Sequence, residues 1–177
     1  MGMRGNGVFD DTPGRRALGA LAAACRNMVK EAFLATYRAP FLIQMTESAE
    51  KGTAFATIAP EAHEAVTALG LYAFQVAKRP GANAFTQMIT LGRTRNNDII
   101  VEEGSVSKYH ANFKKDATGR WTLTDVSTNG VRVDGAKIPK DKPIVLHSGA
   151  RLVLADGVEL LYLDPADALD HLQRVKT

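Results

Sequence analysis

The 177-residue sequence predicts a mainly β protein. An antiparallel β-sandwich is preceded by an N-terminal helical extension and closed by a short C-terminal helix. Three observations carry this expectation. From Leu71 onward, short β-prone runs follow one another closely: LYAFQVAK, FTQMITLG, DIIV, KYHANFKK, RWTLTD, VRV, RLVLA and VELLYL. Turn dipeptides separate them, at Thr118-Gly119, Asn129-Gly130, Asp134-Gly135 and Asp156-Gly157. Asn-Gly and Asp-Gly adopt the positive φ of tight hairpin turns, and many short strands at such spacing indicate a sandwich or barrel. Residues 13–38 differ in period. There Leu18, Leu21, Ala22, Cys25, Met28, Val29, Ala32 and Phe33 recur at three-four spacing, which is the signature of one helix face.

In chain order, residues 1–11 form a glycine-rich, loose start. Thr12 and Pro13 then supply an N-cap and a first-turn proline for a helix over 13–38. YRAP ends it, because the residue before a proline avoids helical geometry. PFLIQM and TAFATI are short β-prone runs flanking the polar TESAEKG, which predicts a hairpin. APEAHEAVTALG reads as a short helix with a glycine stop. After the strands, Asp164 caps and Pro165 begins a closing helix. The expected divisions are an extension over 1–70, a sandwich over 71–164 and a C-terminal helix over 165–177.

Composition narrows the function classes. A hydrophobic content of 45% suits a globular chain, and a net charge of +3 is too small for a nucleic-acid footprint in the bulk charge. Anion binding must therefore come from local placement. The single cysteine, Cys25, excludes an internal disulfide and a cysteine-built zinc site, and suits a reducing cytoplasm. No apolar run reaches the roughly 18 residues of a membrane span. GRRALGALAAAC has the paired arginines and cysteine of an export or lipoprotein signal. Its three-four pattern runs on through the would-be cleavage point, so it reads as helix, with Cys25 a small buried apolar residue.

The stretch SVSKYHANF places Ser107 three residues before His110. A nucleophilic serine needs a base, an orienting acid and an oxyanion hole. Asp125 is a nominal third member. However, the G-x-S-x-G elbow is absent, and no helix follows to carry one. His63, His110, His147 and His171 stand singly, without the spacing of metal ligands. No phosphate-cradling GxxxxGK[ST] loop and no dinucleotide fingerprint occur, so neither metal nor cofactor is expected. Trp121 is assigned to a packed strand face, and His147 to a loop without a role.

A binding site fits these residues better. The loops between strands pool Arg93, Arg95, Ser107, Lys108, Thr128 and Asn129, with no acid among them. An arginine fork matches phosphate oxygens, hydroxyls add short donors, and an asparagine amide can grip a peptide backbone. Loops at one end of a sandwich can converge.

The segments LGRTRNNDIIVEEGSVSKYHANF, WTLTDVSTNGVRVDG and LHSGARLVLADGVELLYL resemble the forkhead-associated (FHA) family. The family pattern runs Gly-Arg, Asn-Asp-Ile, Ser-x-x-His, Leu-x-Asp-x-Ser-Thr-Asn-Gly, then a late Leu-x-x-Gly-Asp step. All but the last match in order and spacing, across residues 71–164. The last reads HSGAR, with Ala150 where an aspartate is usual. The N-terminal extension has no counterpart in the pattern.

The resemblance implies an eleven-stranded sandwich that binds phosphothreonine peptides through loops at one end, without catalysis. Arg93 and Ser107 would contact the phosphate. Lys108 would add a phosphate or backbone contact. Thr128 would join the phosphate-side loop, and Asn129 would hold the peptide main chain. Gly92, His110 and Gly130 would support the site, with Arg95 auxiliary. The expected role is a cytoplasmic adaptor in serine/threonine kinase signalling. Its partner would be a phosphothreonine-bearing kinase or kinase substrate, and neither nucleic acid nor membrane. The rival expectation is a phosphate-independent interaction or self-association module. It would use the sandwich and the N-terminal helix, whose Phe33, Leu34 and Tyr37 would face the sandwich or a second copy.

Overall fold

The computed structural model describes residues 14–45, 71–155 and 157–176. Thr12, Pro13, His63, the TAFATI run and the APEAHEAVTALG segment lie outside the described residues, as does Asp156. The described elements are β1 (Arg15–Ala17), α1 (Leu18–Cys25), α2 (Lys30–Thr36), β2 (Phe41–Gln44), β3 (Tyr72–Gln75), β4 (Ile89–Gly92), β5 (Ile99–Ile100), β6 (Ala111–Lys115), β7 (Trp121–Asp125), β8 (Val131–Val133), β9 (Ala136–Lys137), β10 (Ile144–Val145), β11 (Arg151–Leu154), β12 (Val158–Leu163) and α3 (Pro165–Arg174).

These strands build two sheets. One has seven strands in the order β1-β3-β2-β12-β11-β8-β9, and the other has five in the order β10-β7-β6-β4-β5. Leu42, Phe74, Leu152, Leu160 and Tyr162 from the first sheet meet Leu91, Ala111, Phe113 and Leu123 from the second in one buried core. The predicted β-sandwich is therefore present, flanked by N-terminal and C-terminal helices.

A second core covers the outer face of the seven-stranded sheet. Strand β2 explains why. Successive side chains of a strand point to opposite faces, so Leu42 enters the sandwich while Phe41 and Ile43 point the other way. There Leu18, Leu21, Cys25 and Phe33 from α1 and α2 join Leu169 and Leu172 from α3. Each such side chain stabilises the fold by roughly 1.5–3 kcal/mol relative to exposure. The helices are therefore integral to the domain.

Several expectations change. The division near residue 70 does not separate an appendage, because β2 is an interior strand between β3 and β12. The single helix over 13–38 is instead strand β1 followed by two short helices. Residues 15–17 pair with Tyr72, Ala73 and Phe74 at the sheet edge. The break between α1 and α2 is held from outside: the Gln173 amide of α3 donates to the carbonyls of Cys25 (3.2 Å) and Met28 (3.0 Å). A helix leaves its last carbonyls without intrahelical donors, and a neighbouring side chain fills that need here. Asp164 does occupy the N-cap of α3, with Pro165 in its first turn, but its side chain makes no capping bond. Its N–H donates to Ser148 Oγ instead.

The sandwich is also not wholly antiparallel, since β5 runs parallel to β4 with Leu91 opposite Ile99. The Asp98 carboxylate accepts the Thr90 N–H at 2.8 Å. That bond returns the chain to the start of β4, so β5 sets out in the same direction. The Asp134-Gly135 turn follows expectation: both residues have positive φ (50° and 84°) and join β8 to β9 as a hairpin.

Candidate functional site

The loops after β4, before β6 and between β7 and β8 meet at one end of the five-stranded sheet. Gly92 makes their approach close. A Cβ there would lie 2.3 Å from the Lys108 carbonyl oxygen, so any larger residue would push the two loops apart. The Arg93 N–H donates to the Ser107 carbonyl at 3.0 Å. The Lys108 carbonyl accepts both the Asn97 amide (2.7 Å) and the Thr94 hydroxyl (2.9 Å). The first two loops are thus bonded into one unit.

His110 ties this unit to the third loop. It is fully buried. Its Nδ1 accepts the Ser107 backbone N–H at 3.0 Å, so the ring proton sits on Nε2 and is donated to the Gly130 carbonyl at 3.2 Å. Both ring nitrogens are therefore committed to backbone, and neither faces the Ser107 hydroxyl. Asp125, the nominal acid of a triad, works elsewhere. It accepts from Ser127 N–H (2.9 Å), Ser127 Oγ (2.7 Å) and Val131 N–H (3.2 Å). Ser127 Oγ in turn accepts the Gly130 N–H at 2.7 Å. This small network shapes the Thr128-Asn129-Gly130 turn, where Gly130 has a φ of 91°.

Burial depresses the His110 pKa, with the Gly130 carbonyl and the Asp125 charge partly opposing it. His147 moves the opposite way, raised by the Ser148 carbonyl and by Asp134, whose carboxylate lies 2.9 Å away. A histidine with a folded pKa below its unfolded value of about 6.5 contributes stability above that pH and loses it as pH falls. Imidazole NMR titration is therefore expected to separate the two. His147 should titrate above the unperturbed value and His110 below it, and protonating His110 should displace Ser107 and the 128–130 turn. His147 also has a contact the sequence did not suggest, since it joins the β8–β9 hairpin to the loop before β11.

Between the three loops lies an open hollow of ≈ 430 Å³, lined by Arg93, Ser107, Lys108, Thr128 and Asn129 with Tyr109 and residues 104–106. All five predicted binding residues are brought together there. Ser107 Oγ accepts the Thr128 N–H at 3.1 Å, which leaves its own hydrogen for a ligand. The Asn129 amide nitrogen donates to the Ser105 carbonyl at 2.8 Å, which fixes the side chain and leaves its oxygen as an acceptor. Arg93 and Lys108 are exposed, and no carboxylate lines the hollow. The arrangement can hold a multiply charged anion beside an extended backbone. Arg95 is exposed and not part of the lining.

Sequence reasoning named Gly92, His110 and Gly130 as supports but missed a further one, the network around Asp98 and Asn83. Asp98 is buried and receives Lys78, Arg79 N–H, Asn83 and Thr90. An acid placed directly before the apolar Ile99-Ile100 was its visible signal. Asn83, in the Pro/Gly-rich loop, gave none. Among the described residues, no group of three or more His, Cys, Asp or Glu could hold a metal ion, and no helix is long and apolar enough to cross a membrane.

Fold and site together define a β-sandwich whose loops form a cationic, non-acidic hollow at one end. Residues 89–155 match the family model described as FHA domain. No curated protein matches the chain. Among solved structures, it is similar to Rad53 1–466 in complex with AMP-PNP, at 19% identity and a TM-score of 0.47. That match covers 78% of this chain and 33% of the other, so the chain spans about a third of that protein's length. It is also similar to the N-terminal FHA domain of S. cerevisiae Rad53p in complex with a phosphothreonine peptide (16% identity, TM-score 0.47, 75% and 98% covered). A third is the FHA domain of an Arabidopsis thaliana hypothetical protein (18% identity, TM-score 0.47, 71% and 85% covered).

Proposed function

We propose that the hollow reads a phosphothreonine on a partner protein, in service of serine/threonine kinase signalling, and that it does so without catalysis. The observation that carries this reading is the convergence of Arg93, Ser107, Lys108, Thr128 and Asn129 on one hollow with no acid. A phosphate carries nearly two charges at neutral pH and three acceptor oxygens, which suits two cations and a free hydroxyl. The commitment of both His110 nitrogens to backbone argues against an activated serine. The partner is a kinase or kinase substrate, and the domain acts as an adaptor.

The self-association reading has less support. Phe33 and Tyr37 pack on each other and on Phe41, with ring centroids 4.7–6.0 Å apart, so two of the three predicted contact residues are occupied within the domain and only Leu34 is exposed. The test is titration calorimetry against a degenerate peptide library, presented with phosphothreonine, phosphoserine or unmodified threonine. Binding only of the phosphothreonine pool supports the reading. Equal binding of the unmodified pool removes it.

A further inference from the structure

The loop joining β3 to β4 belongs to no recognised motif, yet it places an aromatic ring beside the hollow. Phe85 is 48% exposed. A single exposed apolar residue is ordinary on a protein surface. This one is stacked on Tyr109, with centroids 6.3 Å apart and planes 20° from parallel. Tyr109 itself lines the hollow.

Both rings are held in place. The Phe85 N–H donates to Asn83 Oδ1 at 3.1 Å. The Asn83 amide nitrogen reaches Thr90 Oγ1 (3.1 Å) and the Asn96 carbonyl (3.0 Å), and Lys78 bridges Asn83 to Asp98. Asp98 also anchors the loop that carries Arg93. The Tyr109 hydroxyl accepts the Asn112 amide at 2.8 Å and points to Met88 Sδ at 3.6 Å. The backbone that carries Phe85 and the loop that carries Arg93 are thus tied to one buried carboxylate, while the Tyr109 ring is fixed by its own hydroxyl contacts.

We infer that Phe85 and Tyr109 form an apolar subsite continuous with the hollow, taking a large aliphatic or aromatic side chain of the same phosphopeptide. The inference rests on the phosphothreonine reading and adds a preference to it. An extended peptide advances about 3.3 Å per residue, so a residue within a few positions of the phosphothreonine, on one side of it, reaches the pair. A rigid ring pair loses little conformational freedom when it is covered, and aromatic contacts add to the area buried.

The experiment screens the full chain against a phosphothreonine library with all flanking positions randomised. Calorimetry then follows on matched peptides carrying Leu, Phe or Ala at the selected position. A selected apolar position should improve affinity by about tenfold over Ala. Phe85→Ala should erase that gain while leaving phosphorylation dependence intact. Phosphate-dependent binding with no flanking preference, or a gain that survives in Phe85→Ala, overturns the subsite and leaves the phosphothreonine reading standing. Binding indifferent to phosphorylation overturns both. Phe85 is an exposed loop residue, so an unchanged melting temperature in the variant assigns any loss to contact rather than to unfolding.

Discussion

Replacing Arg93 with alanine is expected to weaken phosphothreonine-peptide binding at least about a hundredfold while leaving the fold intact. Charge-assisted hydrogen bonds contribute roughly 1.5–3 kcal/mol each, and a planar guanidinium can make two to one phosphate. A loss of about 2.7 kcal/mol already corresponds to a factor of a hundred. Arg93 is exposed, and its anchoring to Ser107 runs through its backbone N–H, so the melting temperature should not move. Arg93→Lys should fall between the two, keeping the charge and losing the fork. Binding by the native chain should also weaken as salt rises. An unchanged affinity in Arg93→Ala, measured by titration calorimetry, would place the phosphate elsewhere.

The second large effect concerns stability. Asp98→Ala is expected to cost about 3–5 kcal/mol, the scale seen when one partner of a buried, bonded charge pair is removed. Burial alone would push this carboxyl up. Hydrogen bonds from Thr90 N–H, Lys78, Arg79 N–H and Asn83 outweigh it and hold the pKa below the usual range. The sign follows: stability from Asp98 is fully present above the unfolded pKa of about 3.9 and is lost as pH falls through the lower folded value. Chemical denaturation of Asp98→Ala at neutral pH should show the full loss, and the difference from the native chain should narrow below pH 4. A loss below about 1 kcal/mol would mean that Lys78 and Thr90 find other partners.

These two residues mark how far the sequence could be read. The grouping of Arg93, Ser107, Lys108, Thr128 and Asn129 on one hollow was legible because donors suited to an anion occur there in a recognisable order. His110 was legible as a support, though only coordinates assign its tautomer. Asp98 sits inside the same motif, yet its role depends on Lys78 and Asn83, which lie 20 and 15 residues away along the chain. No local pattern links them. The helix over 13–38 was misread for a related reason. Its apolar period is real, but pairing of Arg15–Ala17 with β3 and the reach of Gln173 into the α1–α2 break override it.

Strand runs, the Asp134-Gly135 turn and the five predicted residues of the hollow follow from alternation, Asx-Gly chemistry and motif order, which are properties of neighbours along the chain, whereas the Asn129-Gly130 turn carries the chain from one sheet to the other instead of closing a hairpin. The insertion of β2 into the middle of the seven-stranded sheet, the parallel β5, the Asp98 hub and the Phe85–Tyr109 pair do not follow from such neighbours. Each is settled by contacts between segments distant in sequence. There a buried donor takes whichever acceptor the fold brings near, and an apolar face packs against whatever covers it.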